Sequence, residues 1–316
     1  MKIAVVGSIN TDIVAVADQY PGRGDKMFGR SVEILSGGMG ANQATTCAKL
    51  GKEAVLIGCV GRDVFGDRLI DTLHRNGVDI SRIKRADHIH TGVALITIDE
   101  TAENTILVVK GANDALAAED IDRCAAEIEQ CRVMLVQMEV PEEAVIQAMT
   151  KARASGLCVI LDPAPAEGVT VRTLDLADVV IPNRQEARHL TGIDPVDAES
   201  ALDAARYFAG MGVKQSIIKM GEGGALVYVD GQWEHVEAVP IFPVDTSGAG
   251  DVFAGALACA LADGQDLFAA ARFATIAAAL KVGRMGAQAG IPTLQEVNDF
   301  CRERRLTHYL MENHSA

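Results

Sequence analysis

The chain has 316 residues, 49% hydrophobic and 23% charged, a globular composition whose length allows about two average domains or one large α/β unit. Its 29 Lys and Arg against 43 Asp and Glu leave a formal charge of −14, which excludes a general nucleic-acid binder and an anionic-membrane binder. Seven cysteines at 47, 59, 124, 131, 158, 259 and 301 form no CxxC pair and read as reduced thiols of a cytoplasmic protein; no stretch approaches the ~18 uncharged apolar residues of a membrane span.

Along the chain, short β-branched runs at 3–6, 54–60, 133–137, 158–161, 179–181, 216–219 and 224–228 read as strands. Ala-rich stretches at 40–50, 65–76, 141–154, 199–210 and 252–262 read as helices, and 268–280 as a buried one. Near-continuous apolar strands separated by helices predict an α/β fold with a mostly parallel sheet covered on both faces. The strands do not fall into eight even βα units, so an open doubly wound sheet is expected rather than a closed barrel. Segments 11–35 and 90–109 break the alternation with strand-like, partly polar patterns and no helix between; the second reads as a hairpin turning through 100–103. They are either ordinary surface hairpins or a small inserted sheet. On the second reading, 1–12, 36–89 and 110–316 form the main α/β domain, and 13–35 and 90–109 form a β-lid. Residues 312–316 are polar and expected to fray.

Three motifs carry chemistry. Gly-Ser-Ile-Asn-Thr-Asp at 7–12 follows the first strand, and polar residues at the carboxyl end of a parallel strand sit where open α/β sheets bind ligands. Asn10 and Asp12 are two residues apart, so in extended chain they share a face and suit a diol; an Asx turn is the plain alternative. Ser-Gly-Gly-Met-Gly-Ala-Asn-Gln-Ala at 36–44 leads into an Ala-rich helix. It matches neither a strand-flanked GxGxxG nor a Walker loop, and serves either as a helix-entry turn or as a close-approach loop with Asn42 facing the ligand. Asp-Thr-Ser-Gly-Ala-Gly-Asp at 245–251 runs into the helix at 252–262. Small residues at a helix start leave N–H groups and the positive end of the helix dipole free for an anion without any basic side chain. Asp251 in the first turn either accepts a proton from a substrate hydroxyl or caps the helix. His88 and His90 form an HxH pair with no third ligand at suitable spacing. Trp233 falls in a polar turn at 230–235 and reads as surface packing.

These motifs resemble the ribokinase/phosphofructokinase-B family of carbohydrate kinases, whose front signature stands at 37–44 and rear signature at 245–251. Between them lie Val-Gln-Met-Glu at 136–139, Asp-Pro-Ala-Pro at 162–165, Pro-Asn-Arg-Gln-Glu at 182–186 and Leu-Thr-Gly at 190–192, with Arg-Met-Gly-Ala-Gln at 284–288 behind. The resemblance covers about residues 1 to 300 and is greatest to the ribokinase branch. It implies ATP-dependent phosphorylation of a small sugar's primary hydroxyl, D-ribose first, in a cleft closed by a β-lid.

Carried over by residue, the resemblance makes Asp251 the general base and the N–H groups of Gly248, Ala249 and Gly250 the anion hole. Asn10, Asp12, Gly38, Asn42 and Glu139 would hold sugar hydroxyls. Asn183 and Glu186 would organise phosphates and water-bound Mg²⁺, while Lys219, Gly221, Gly224, Gly250 and Thr275 would border ATP. K⁺ or another monovalent cation would take oxygens from Asp245, Ser247 and the carbonyls of Lys281, Arg284 and Gly286. Three positions depart from the family. Met39 stands where Lys is common, Gly290 replaces a usual Ser by the cation loop, and Lys219 replaces a small hydroxyl residue. Lys219 would either add a phosphate contact or be a solvated surface lysine. Asn10 is retained, which favours a hydroxyl-bearing sugar over a deoxysugar.

Alternatives within the superfamily are a nucleoside kinase, for which the lid offers only Phe28 and Tyr20 as aromatic walls, and a fructose-type kinase. A catalytically inactive sugar-binding regulator is the non-enzyme alternative, against which the intact Asp251, the 248–250 run and the Asn183/Glu186 pair argue. Apolar Val93, Leu95, Ile96, Ile106 and Val108 suit a lid sheet shared between two subunits, so a homodimer is expected, with sugar and ATP as its small-molecule partners.

Overall fold

A computed structural model describes residues 1–101 and 104–306. Its strands are β1 (Lys2–Val6), β2 (Asn10–Val16), β3 (Ser31–Gly37), β4 (Glu53–Gly61), β5 (Ile83–Ala86), β6 (Gly92–Ile98), β7 (Asn104–Val109), β8 (Cys131–Val136), β9 (Cys158–Leu161), β10 (Val179–Val180), β11 (Gln215–Lys219), β12 (Ala225–Val229) and β13 (Gln232–Val236). Nine of them form one sheet in the order β13-β12-β11-β10-β9-β8-β1-β4-β5. From β5 to β11 the pairs are parallel, and the β11–β12–β13 edge is antiparallel.

Side-chain alternation puts a separate core on each face of this sheet. Ile3, Val5, Leu56, Val133 and Leu135 pack with residues of the helices Met39–Lys49, Ala249–Ala262 and Leu267–Val282. Ala4, Val6, Ile57, Met134 and Val136 pack on the other face with residues of Glu142–Ala154 and Ala198–Gly210. The expected doubly wound, mostly parallel architecture is therefore present. Winding reverses between β1 and β8, and the crevice beyond their carboxyl ends is the topological switch point.

The remaining four strands form a second sheet in the order β3-β2-β6-β7. β2 pairs antiparallel with β3, where Asn10 meets Gly37, and parallel with β6, where Asn10 meets Gly92. Only residues 7–9 separate β1 in the large sheet from β2 in the small one, so the two sheets join at the switch point. The expected turn at 100–103 includes residues 102 and 103, and the polar tail at 312–316 follows residue 306; both lie outside the described residues.

Two strands escaped the sequence reading. β5 reads Ile-Lys-Arg-Ala and has too little apolar alternation to announce itself. The segment expected as a polar turn around Trp233 is instead β13, with Trp233 opposite Tyr228 and the turn shortened to Asp230 and Gly231 at φ 47° and 93°. Trp233 stays half exposed, as its surface reading requires. Helix Arg184–Thr191 was also missed, because its exposed face is almost wholly polar; its start is set by a capping box between Asn183 and Glu186. All seven cysteines are free and six are buried. Among the described residues no helix is long and apolar enough to cross a membrane.

Candidate active site

The junction between the sheets is built from residues with little room to move. Gly38 adopts φ 91°, and a Cβ there would lie 2.6 Å from the Asn10 nitrogen, so only glycine lets the front signature press against β2. Ser8, fully buried, accepts the Met39 N–H at 3.0 Å and donates its hydroxyl to Glu139. The Asp12 carboxylate lies across Gly37, and its pKa is pushed up to about 7, first by burial and then by the Glu139 charge. Asn10 holds its side-chain carbonyl on Asn113 Nδ2 at 2.7 Å, while Asn113 Oδ1 accepts the Ile9 N–H at 2.9 Å. Asn113 thus positions the start of β2; nothing in its local sequence marks it.

Helix Ala249–Ala262 carries the rear signature to the same crevice. Gly248 takes the left-handed φ of 74° at its N-cap, and Asp251 is buried in the first turn. Asp251 Oδ2 accepts Asn42 Nδ2 at 2.8 Å and Oδ1 accepts Gln43 Nε2 at 3.2 Å. Burial is the largest influence on this carboxyl, Asp162 and Glu139 add repulsion, and the two amides oppose them; the net pKa is pushed up to about 8. Asn42 Oδ1 is buried without a hydrogen-bond partner among the described residues, one acceptor left over in a polar crevice.

Gln43 is the hub that sequence reasoning missed. Its amide nitrogen also donates to Asp162 at 3.0 Å, and its oxygen accepts from Gln137 at 2.6 Å. Lys219 closes the chain by pairing with Asp162 at 2.9 Å, with 13% of its side chain exposed. The surface-lysine reading of Lys219 is therefore wrong: the end of β11 lies inside the crevice, and a Cβ on Gly250 would stand only 3.8 Å from the ammonium. Burial works against its charge, yet Asp162 and then Glu186 hold its pKa above the ordinary value. Glu186 caps its own helix by accepting the Asn183 N–H at 2.7 Å and Asn183 Nδ2 at 2.5 Å. Its pKa is pushed up to about 7, by burial first, against Lys219 and reinforced by Asp162.

Of the three N–H groups at Gly248, Ala249 and Gly250 expected to form an anion hole, that of Ala249 is already taken: it donates to the Thr246 carbonyl at 3.2 Å, which ties it into the turn. Among the residues expected to border ATP, Gly221–Gly223 forms a single 3₁₀ turn after Lys219, and Gly224 packs against the backbone of Val236 and Ala238. Val236, Glu237, Ala238, Thr275 and Ile276 contribute to the walls of a cavity of about 290 Å³. Thr275 turns its own hydroxyl back to Ala271 at 2.9 Å, so it borders the cavity by shape more than by hydrogen bonding.

The loop expected to bind a monovalent cation holds an unexpected group. The Lys281 ammonium, fully buried, donates to the Asp245 carbonyl at 2.8 Å and the Arg284 carbonyl at 3.2 Å, and stands 3.4 Å from Asp245 Oδ2. Burial pulls the Lys281 pKa down while Asp245 works the other way. Asp245 itself is held low: burial raises it, but the Ser247 and Gly286 N–H groups and Lys281 more than offset that. With an ammonium already among these oxygens, the residues do not fit a separate monovalent cation.

Comparison with known proteins agrees with this geometry. The model of the pfkB family carbohydrate kinases matches residues 1–294. The ribokinase of Haemophilus influenzae is 35% identical over 298 residues, spanning 94% of this chain and 97% of that protein. The deoxyribokinase of Salmonella typhimurium is 36% identical over 306 residues, spanning 95% and 98%. Among solved structures, Arabidopsis thaliana ribokinase complexed with ribose and ATP superposes with a TM-score of 0.88 at 30% identity, covering 94% of this chain and 97% of that one. Thermotoga maritima ribokinase gives 0.86 at 34% identity, covering 95% and 99%. The chain belongs to the pfkB family of carbohydrate kinases.

Proposed function

We propose that the chain transfers the γ-phosphoryl group of ATP to the primary hydroxyl of D-ribose, in the cytosol. The observation that carries this reading is the placement of Asp251: buried in the first turn of the helix that starts at Gly248, with both oxygens held by amides of the front signature. Sugar enters over Asn10, Asp12, Gly38, Asn42 and Glu139, and the free Asn42 Oδ1 takes one of its hydroxyls. Asp251 orients the attacking hydroxyl and accepts its proton late, as charge leaves that oxygen for the phosphorus. Negative charge on the transferred group meets the N–H groups at Gly248 and Gly250, with the Lys219 ammonium facing Gly250.

Asp12, Asp162, Glu186 and Asp251 outnumber the cations around them, and three of the four have pKa values pushed up. Such a crevice suits Mg²⁺, held through water by Glu186 and Asn183, which when bound neutralises phosphate oxygens. The four-stranded sheet acts as the lid. Its edge strand β7 is exposed throughout, and Leu95, Ile106, Leu107 and Val108 present apolar surface there, which favours pairing of two lids in a homodimer. Sizing in solution should give a dimer, and an active monomer would remove that part.

The test is a coupled ADP-release assay with ribose, 2-deoxyribose, other pentoses, fructose and nucleosides. Ribose should give the highest kcat/KM, and preference for a nucleoside or no sugar-dependent ADP release would sink the reading. 2-Deoxyribose is the second reading, favoured by the similarity to a deoxyribokinase.

A further inference from the structure

We infer that the Lys281 ammonium is a built-in replacement for the monovalent cation, so that phosphoryl transfer by this chain does not require K⁺. Lys281 lies in the last turn of helix Leu267–Val282, and its Nζ reaches across 36 residues of sequence to the loop that begins the rear signature. There it contacts oxygens from the group expected to hold a cation: the Asp245 carbonyl, the Arg284 carbonyl and the Asp245 carboxylate. Two of the other expected oxygens already accept protein donors, as do both oxygens of the Asp245 carboxylate. The Lys281 carbonyl takes the Arg284 N–H at 2.9 Å, and the Gly286 carbonyl takes the Gly290 N–H at 2.9 Å. Asp245 Oδ1 takes the Ser247 N–H at 2.9 Å and Oδ2 the Gly286 N–H at 2.7 Å.

Gly290 belongs to the same arrangement. A Cβ at this position would lie 2.8 Å from the Gly286 carbonyl and 3.1 Å from the Arg284 carbonyl. The side chain that would add an oxygen to this cluster is missing where the tethered cation is present. An ammonium carries the same unit charge as K⁺ and gathers the same carbonyls, but it cannot dissociate. Its charge faces Asp245, whose carboxylate braces the Ser247 N–H, and Thr246 and Gly248 follow directly into the start of helix Ala249–Ala262. Lys281 is thus a positioning residue for the anion hole. Its kinetic consequence rests on the phosphoryl-transfer reading above; its occupation of the cation position does not.

The experiment has two readouts on the full chain. In the coupled assay at a constant ionic strength of about 0.1 M, replacing tetramethylammonium chloride by KCl leaves the wild-type kcat/KM for ATP unchanged within roughly twofold, since screening stays constant. Lys281→Ala and Lys281→Met lose roughly tenfold or more in the absence of K⁺, about 1.4 kcal/mol, and regain it saturably with KCl or NH₄Cl but not with the tetramethylammonium salt. Thermal melts in the same salts show a K⁺-specific rise for the variants and none for the wild type. K⁺ activation of the wild type, full K⁺-free activity of the variants, or a loss that K⁺ does not rescue would each overturn the inference. If no sugar yields ADP, the phosphoryl-transfer reading fails while the melts still decide occupancy; if the variants do not fold, the wild-type salt response decides alone.

Discussion

Lys219→Met tests whether the buried charge chain through the crevice is as tightly balanced as its geometry indicates. The substitution keeps the length and apolar stem of the side chain and removes the ammonium that faces Asp162 at 2.9 Å, where the two side chains are 13% and 1% exposed. Breaking a buried pair from one side costs about 3–5 kcal/mol, because the remaining charge stays desolvated. Gln43 still donates to Asp162 at 3.0 Å, which places the loss near the lower end. At ~1.5 °C per kcal/mol for a chain of 316 residues, the melting temperature should fall by roughly 4–5 °C. The pH sign follows from the raised folded pKa of Lys219. Its contribution is complete below the ordinary value of 10.5 and is lost as pH rises through the raised one, so the titration of Lys219 itself closes the gap between wild type and variant only in strong alkali, while loss of its attraction for Glu186 makes the gap vary around pH 7 as well. Calorimetric melts of wild type, Lys219→Met, Asp162→Asn and the double variant measure the coupling. The double variant should recover most of the single loss; an unchanged melting temperature in Lys219→Met, or purely additive losses in the cycle, would refute the reasoning.

Asp251→Asn should lower kcat by about 10²–10⁴-fold while calorimetry shows sugar binding largely kept, since the amide retains shape but cannot accept the proton. Because the Asp251 pKa rises from 3.8 to about 8 on folding, its ionised form costs stability that grows across that interval. The apo Asp251→Asn protein should therefore melt above the wild type at pH 8.5, with the difference shrinking towards pH 4, as melts across the range would show. For the same reason kcat/KM for the sugar should climb with pH and level off beyond about 8, Asp12 at about 7 steepening the acid limb. Gly7→Ala would drive a Cβ to within 1.7 Å of Gln137 Oε1, displacing a buried side chain; a loss of about 1–3 kcal/mol in denaturant unfolding is expected.

Much of the fold was legible because buried parallel strands leave an unambiguous trace. β1, β4 and β8 are apolar at nearly every position, and the helices between them carry Ala-rich faces. β5 and β13 left no such trace, since each lies at or near a sheet edge where polar residues are tolerated. The motif residues were legible for a related reason. Asn42, Asn183 and Asp251 sit just past a strand end or in first helical turns, where polar residue types have few other uses, and Asp12 shows as a carboxylate within an otherwise apolar strand.

The sequence by itself determined the family, the parallel sheet and the glycine-rich helix start with Asp251 in its first turn. These depend on local order: which residues follow a strand, and which open a helix. Only the tertiary structure decided how those groups are held and charged. Gln43 joins Asp251 to Asp162 over 119 residues of sequence, Lys219 faces Asp162 over 57, and Lys281 turns a carbonyl loop into a closed ammonium site over 36. Each contact depends on the reach and burial of a side chain in three dimensions, and a linear pattern carries no information about either.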